Sequence, residues 1–132
     1  MKQRYFLKSD DRLKSTKAID KLFSEGKNFS SFPFRVLWLT GNISRLQAGF
    51  GVSSRHFKKA TDRNRIKRLM REAYRLQKHE LEQFLEEKNE NVSLFLLYQG
   101  NEIPDYKLVH DRIGSIIKRM IKFINENTQA DI

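Results

Sequence analysis

The chain has 132 residues, a length that fits one domain and leaves little room for a second. Hydrophobic residues make up 39%, enough for one modest core, and the net charge of +10 points away from an acidic small-molecule enzyme and toward a polyanionic partner. With no cysteine, disulfide scaffolds, thiol catalysis and Cys-ligated zinc are excluded.

In chain order, Met1–Asp11 is charged and lacks the apolar stretch of a secretory signal. Ser15 reads as an N-cap before an apolar i, i+3, i+4 set of Ile19, Leu22 and Phe23, and Gly26 reads as a stop. A first helix over about 16–25 is predicted. From Phe32 to Leu39 the pattern alternates, with Phe32, Phe34, Val36 and Trp38 on one face and Arg35, Leu37 and Leu39 on the other. That is a strand, and Pro33 suggests a bulge or an edge near its start. Gly41-Asn42 signals a turn. Leu46, Ala48, Phe50 and Val52 then alternate in a second strand, expected antiparallel to the first.

Thr61–Lys88 has helical period. Ile66, Leu69, Met70, Ala73 and Leu76 cluster on one side of the wheel. Asn64, Lys67, Arg68, Arg71, Arg75 and Lys78 fill an opposite arc, expected to face solvent. Asp62 is the expected N-cap. Val92–Tyr98 is almost wholly apolar, as in a strand buried on both faces. Its five-residue apolar run, Leu94–Tyr98, is far short of the roughly 20 residues of a membrane span. Asp105 caps a last helix, with Leu108 or Val109, Ile113, Ile116, Ile117, Met120 and Ile124 as its stripe. The reading is a single α+β domain over 1–132, with an ordered core of about 10–125. Its order is αββαβα, with helices packed on a three- to four-stranded sheet. Asn127–Ile132 is expected to fray.

The charge is uneven. Residues 55–78 carry ten basic side chains against Asp62 and Glu72, while residues 79–90 carry five acidic ones against Lys88. A basic run is usually a solvated helix face. Here Arg63 and Arg65 crowd a helix start, where the macrodipole disfavours each cation by ~0.3–1 kcal/mol. A phosphate backbone reverses that sign, because free N–H groups and guanidinium forks both favour it.

The segment Arg63-Asn64-Arg65-Ile66-Lys67-Arg68-Leu69-Met70-Arg71-Glu72 resembles the RNR helix of the bacterial ribonuclease P protein component. The resemblance extends to Arg12-Leu13-Lys14, Phe23 and Gly26, to Gly49-Phe50-Gly51-Val52-Ser53, and to the last strand and helix. It implies the non-catalytic protein subunit of a ribonucleoprotein endonuclease that removes the 5′ leader from precursor tRNA. Catalysis would belong to an RNA subunit, with Mg2+ bound mainly by that RNA and none assigned to the protein. Arg63, Asn64, Arg65, Lys67, Arg68 and Arg71 match the motif that faces the RNA subunit. Arg55, Lys58 and Lys59, in the loop before the helix, are expected to add backbone contacts. Arg12, Lys14, Phe23 and Trp38 are assigned to the leader, which would lie in a cleft between the first helix and the sheet. The strand aromatic maps to Leu37 or Trp38. Trp38 is favoured because a base gains little from stacking on leucine, although Trp38 also shares the core face of Phe34 and Val36. Ile19 stands where many members carry a second aromatic. The resemblance also implies a left-handed crossover from second strand to last strand, against the right-handed rule.

His56, His79 and His110 fall at no metal-ligand spacing, and Glu80, Glu82, Glu86, Glu87 and Glu90 spread around a helix rather than converging. Gly49-Phe50-Gly51 only partly matches an RRM core. A self-contained nuclease would need a carboxylate or histidine cluster. The alternative retained is a ribosomal or other structural RNA-binding protein. The expected setting is soluble and cytoplasmic, with no membrane and no protein partner implied.

Overall fold

The computed structural model describes residues 16–41 and 46–130. The expected cap Ser15, the Asn42 half of the turn, and the leader candidates Arg12 and Lys14 lie outside the described residues. In order come α1 (Thr16–Glu25), β1 (Lys27–Ser31), β2 (Phe34–Thr40), β3 (Gln47–Val52), α2 (Ala60–Lys88), β4 (Val92–Tyr98) and α3 (Tyr106–Ala130).

The first helix stops where Gly26 donates its N–H to the Leu22 carbonyl at 2.9 Å. A Cβ on Gly26 would collide with that same carbonyl, so a side chain there would break the tight exit into β1. At α3 the Asp105 carboxylate accepts the Leu108 N–H at 2.8 Å, the capping bond that the sequence predicts. Val109, Ile113, Ile116, Ile117, Met120 and Ile124 are all buried, which fixes the stripe on Val109 rather than the half-buried Leu108.

The sheet order is β1-β2-β4-β3. Two features depart from the sequence reading. A strand was missed: β1 pairs antiparallel with β2, Lys27 opposite Trp38 and Phe29 opposite Val36. Its sequence, KNFSS, holds one large apolar residue, too few for an alternation. Phe32 and Pro33 form the turn between β1 and β2 instead of opening the strand, and Phe32 stands 77% exposed. The second strand, now β3, does not neighbour β2. It runs opposite to β2, but β4 lies between them, antiparallel to β2 and parallel to β3. The run Val92–Tyr98 is thus the central strand, which accounts for its nearly continuous apolar sequence.

Alternation sorts the sheet into two faces. Phe34, Val36, Trp38, Leu94, Leu96 and Ala48 pack with α2 and α3 in the main core. Leu37 and Phe95 point the other way, where Leu22 of α1 closes a smaller core with Ala18, Ile19, Leu39 and Leu97 around it. The two long helices are tied by Gln77, whose Nε2 donates to the carbonyls of Ala73 at 3.1 Å and His110 at 2.9 Å. Gly114 makes the approach feasible, since a Cβ there would lie 2.6 Å from Gln77 Oε1.

Candidate nucleic-acid interface

The basic helix starts one turn earlier than its charge pattern suggests. Lys59 is the N-cap residue and makes no side-chain capping bond, and Asp62 sits in the first turn instead of at the cap. Arg63 bonds back to the loop that precedes this start. Its Nη1 donates to the carbonyls of Phe57 at 2.7 Å and Lys58 at 2.8 Å, so the guanidinium folds back on the preceding loop. Phe57 is buried against Tyr98, with ring centroids 6.2 Å apart. The Ser53 N–H, at the loop's other end, donates to the Tyr98 carbonyl at 3.2 Å. The loop of Arg55, Lys58 and Lys59 is therefore pinned at three points, and those three cations remain exposed.

Along α2, Asn64, Arg65 and Arg68 are exposed, and Lys67 and Arg71 are half-buried. Asn64, Arg65 and Arg68 fall within about 100° of the helix wheel and follow directly on the cations of the loop. Further on, the expected stripe changes character. Arg75 makes two bonds to the Glu72 carboxylate, at 2.6 and 3.1 Å, which hold that carboxyl below its usual range. Lys78 is a correction: it is 1% exposed, with its Nζ 3.3 Å from Glu82 Oε2, so it is not part of a solvent-facing arc. Leu76 is the converse correction, 41% exposed although expected in the core stripe. The buried line runs through Ile66, Met70, Tyr74, Leu81 and Leu85, and Leu76 falls roughly 130° from its centre at 100° per residue.

A second surface lies on the sheet face that α1 covers. Phe23 is half exposed and meets Phe95 edge-on, with centroids 5.3 Å apart and planes at 62°. The Phe95 ring lies over Gly51, where a Cβ would sit 2.8–2.9 Å from two of its atoms. Trp38 is on the opposite face, buried in the main core with Lys27 Nζ 5.2 Å from its ring centroid. It therefore cannot share a cleft with Phe23. Of the two mapped positions, Leu37 is on the α1 side, but it is covered by the helix at 4% exposure. The aromatic that the sequence reading missed is Phe95. No periodic signal could isolate it within an all-apolar strand. The structure thus brings Phe23 and Phe95 together and leaves Trp38 apart. Among the described residues, no group of three or more His, Asp and Glu is placed to hold a metal ion.

A two-faced sheet, a long cationic helix after a parallel-paired strand, and an aromatic pair under a short first helix are a specific combination. The family profile described as Ribonuclease P matches residues 7–121. The chain belongs to that family. It is 36% identical over 106 residues to the ribonuclease P protein component of Porphyromonas gingivalis strain W83, covering 78% of this chain and 77% of the relative. Its counterpart from Desulfovibrio desulfuricans is 28% identical over 130 residues, covering 98% and 97%. Among solved structures, the Staphylococcus aureus RNase P protein superposes with a TM-score of 0.68 at 18% identity, covering 83% of this chain and 94% of that one. The Thermotoga maritima RNase P protein gives 0.62 at 23%, covering 82% and 96%. At those identities the structures speak for the ribonuclease P protein fold alone.

Proposed function

We propose that the chain is the protein subunit of a ribonuclease P ribonucleoprotein in which an RNA subunit does the chemistry and the protein holds RNA. The observation that carries this is the pinned loop and first half of α2, which leave Arg55, Lys58, Lys59, Asn64, Arg65 and Arg68 exposed to solvent. Guanidinium forks suit phosphate oxygens, which accept two parallel N–H bonds. That surface is assigned to the RNA subunit. The 5′ leader of precursor tRNA is assigned to the α1 side of the sheet, where a base stacks on Phe23 and Phe95 supports the ring from behind. Arg12 and Lys14 are assigned to leader phosphates. Magnesium would be held mainly by the RNA subunit, where it would supply activation of water for the cleavage, and no residue of this chain is assigned to it. No described helix is long and apolar enough to cross a membrane, and the cytoplasm is the proposed compartment.

The test is reconstitution. The chain is added to a bacterial ribonuclease P RNA at low magnesium, and 5′-leader removal is followed. The protein should raise substrate affinity or rate, and alone it should cleave nothing. Cleavage by the protein without RNA would instead make it a self-contained nuclease. No gain in either quantity would leave the structural RNA-binding alternative.

A further inference from the structure

On the sheet face away from α1, β1 and the last turns of α3 enclose a concavity of about 380 Å³, lined by Lys27, Asn28, Phe29, Trp38, Phe123 and Glu126. Phe29 meets Phe123 edge-on, with centroids 5.1 Å apart. Arg119 lies over both rings, 4.3 Å from the Phe29 centroid and 5.6 Å from that of Phe123, while its Nη1 donates to the Ser30 carbonyl at 2.9 Å. Lys122 is exposed and sits one turn from both Arg119 and Glu126. The site thus combines aromatic walls with a carboxylate and cations at the rim, while the Asn28 amide turns to the other face, where its Oδ1 accepts from Arg35 Nη2 at 3.4 Å.

That combination matches the parts of a nucleotide. A flat π-faced base suits the rings, its N–H groups suit Glu126, and its phosphate suits Lys27 and Lys122. We infer that this concavity is a second RNA-binding site, which takes one unpaired nucleotide. The inference rests on the RNA-binding reading above but concerns a separate surface, since β1 and β3 are opposite edges of the sheet. An RNA that fills both sites contacts the protein on two sides.

Trp38 is the only tryptophan in the chain, so its emission reports on the concavity it lines. Hexa-adenylate is titrated into the full chain at low salt, with Trp38 emission and the anisotropy of a labelled copy both recorded. The expected result is saturable quenching that persists when Arg65→Ala and Arg68→Ala are combined. Lys27→Gln and Phe123→Leu should each weaken it about fivefold, the scale of one lost contact. Lys27 is exposed, so its variant does not put folding at risk. Anisotropic binding with flat Trp38 emission overturns the second site and leaves the α2 surface standing. So does quenching that vanishes with Arg65→Ala and Arg68→Ala yet survives Lys27→Gln and Phe123→Leu. Absence of binding by either readout overturns the second site, while the α2 surface is judged separately by the reconstitution.

Discussion

Phe23 shows how one side chain can be tested for two roles. It is half exposed and supported edge-on by Phe95, so about half of it faces away from the core. Phe23→Ala should therefore weaken precursor tRNA binding by the holoenzyme by ~1–3 kcal/mol, the value of one base–aromatic stack. Mature tRNA, which lacks the leader, should bind as before. A core role would instead cost ~3–5 kcal/mol of fold stability and affect both tRNAs equally. Comparing the two affinities beside the melting temperature separates the outcomes. Gly51→Ala probes the same site from beneath. Its Cβ would lie 2.8 Å from the Phe95 ring, so that ring must shift and withdraw support from Phe23. Precursor affinity should fall without direct loss of any leader contact. If affinity is unchanged, Phe95 does not position Phe23. The sequence alone could not choose between Leu37 and Trp38, because both faces of β2 are apolar and alternation shows two faces without saying which one α1 covers. Phe23 was legible as a leader residue only through the family resemblance, since its place in the apolar set of a short helix by itself reads as core.

At the scale of the element, α2 was legible in extent but not in the use of its charges. Helical period located it within a residue at each end, since a 29-residue helix gives many turns of repeat. What the wheel missed was how particular cations are spent: Arg63 clamps the loop, Arg75 grips Glu72, and Lys78 is buried beside Glu82. Charge alone does not reveal a partner three to six residues away. This yields a contrast within one helix. Arg65→Ala and Arg68→Ala should each weaken binding to the RNA subunit by ~1–3 kcal/mol, as for a charge-assisted hydrogen bond, with the melting temperature nearly unchanged. Lys78→Met should leave RNA affinity within twofold, because its ammonium does not reach solvent. Equal losses for Lys78→Met and Arg68→Ala would mean that the helix binds through its net charge rather than through a face. β1 was the element least legible, since an edge strand with one apolar side chain is defined by its pairing to β2 rather than by its own pattern.

Across the whole molecule the charge is polarised along α2. The helix is about 44 Å long at 1.5 Å per residue, and its cations gather at the start. Its second half carries Glu80, Glu82, Glu86 and Glu87, and Glu82 and Glu86 line a depression with Glu90 and Leu46 at the far end. A polyanion approaching this field is attracted to one end and repelled from the other, so the protein is oriented before contact. The consequence is measurable as salt dependence. If about six phosphates are neutralised, log K against log salt should fall with a slope of roughly −4 to −5, taking ~0.7–0.9 per contact. The exposed cations Arg55, Lys58, Lys59, Arg65 and Arg68 supply most of these contacts, with half-buried Lys67 and Arg71 beside them. Arg65→Ala and Arg68→Ala should each reduce the slope by about 1, the loss of one phosphate contact. A wild-type slope near −1 would show that this surface does not carry the binding. A normal slope that neither variant changes would place the phosphate contacts elsewhere on the protein, and the β1–α3 concavity would be the next surface to vary.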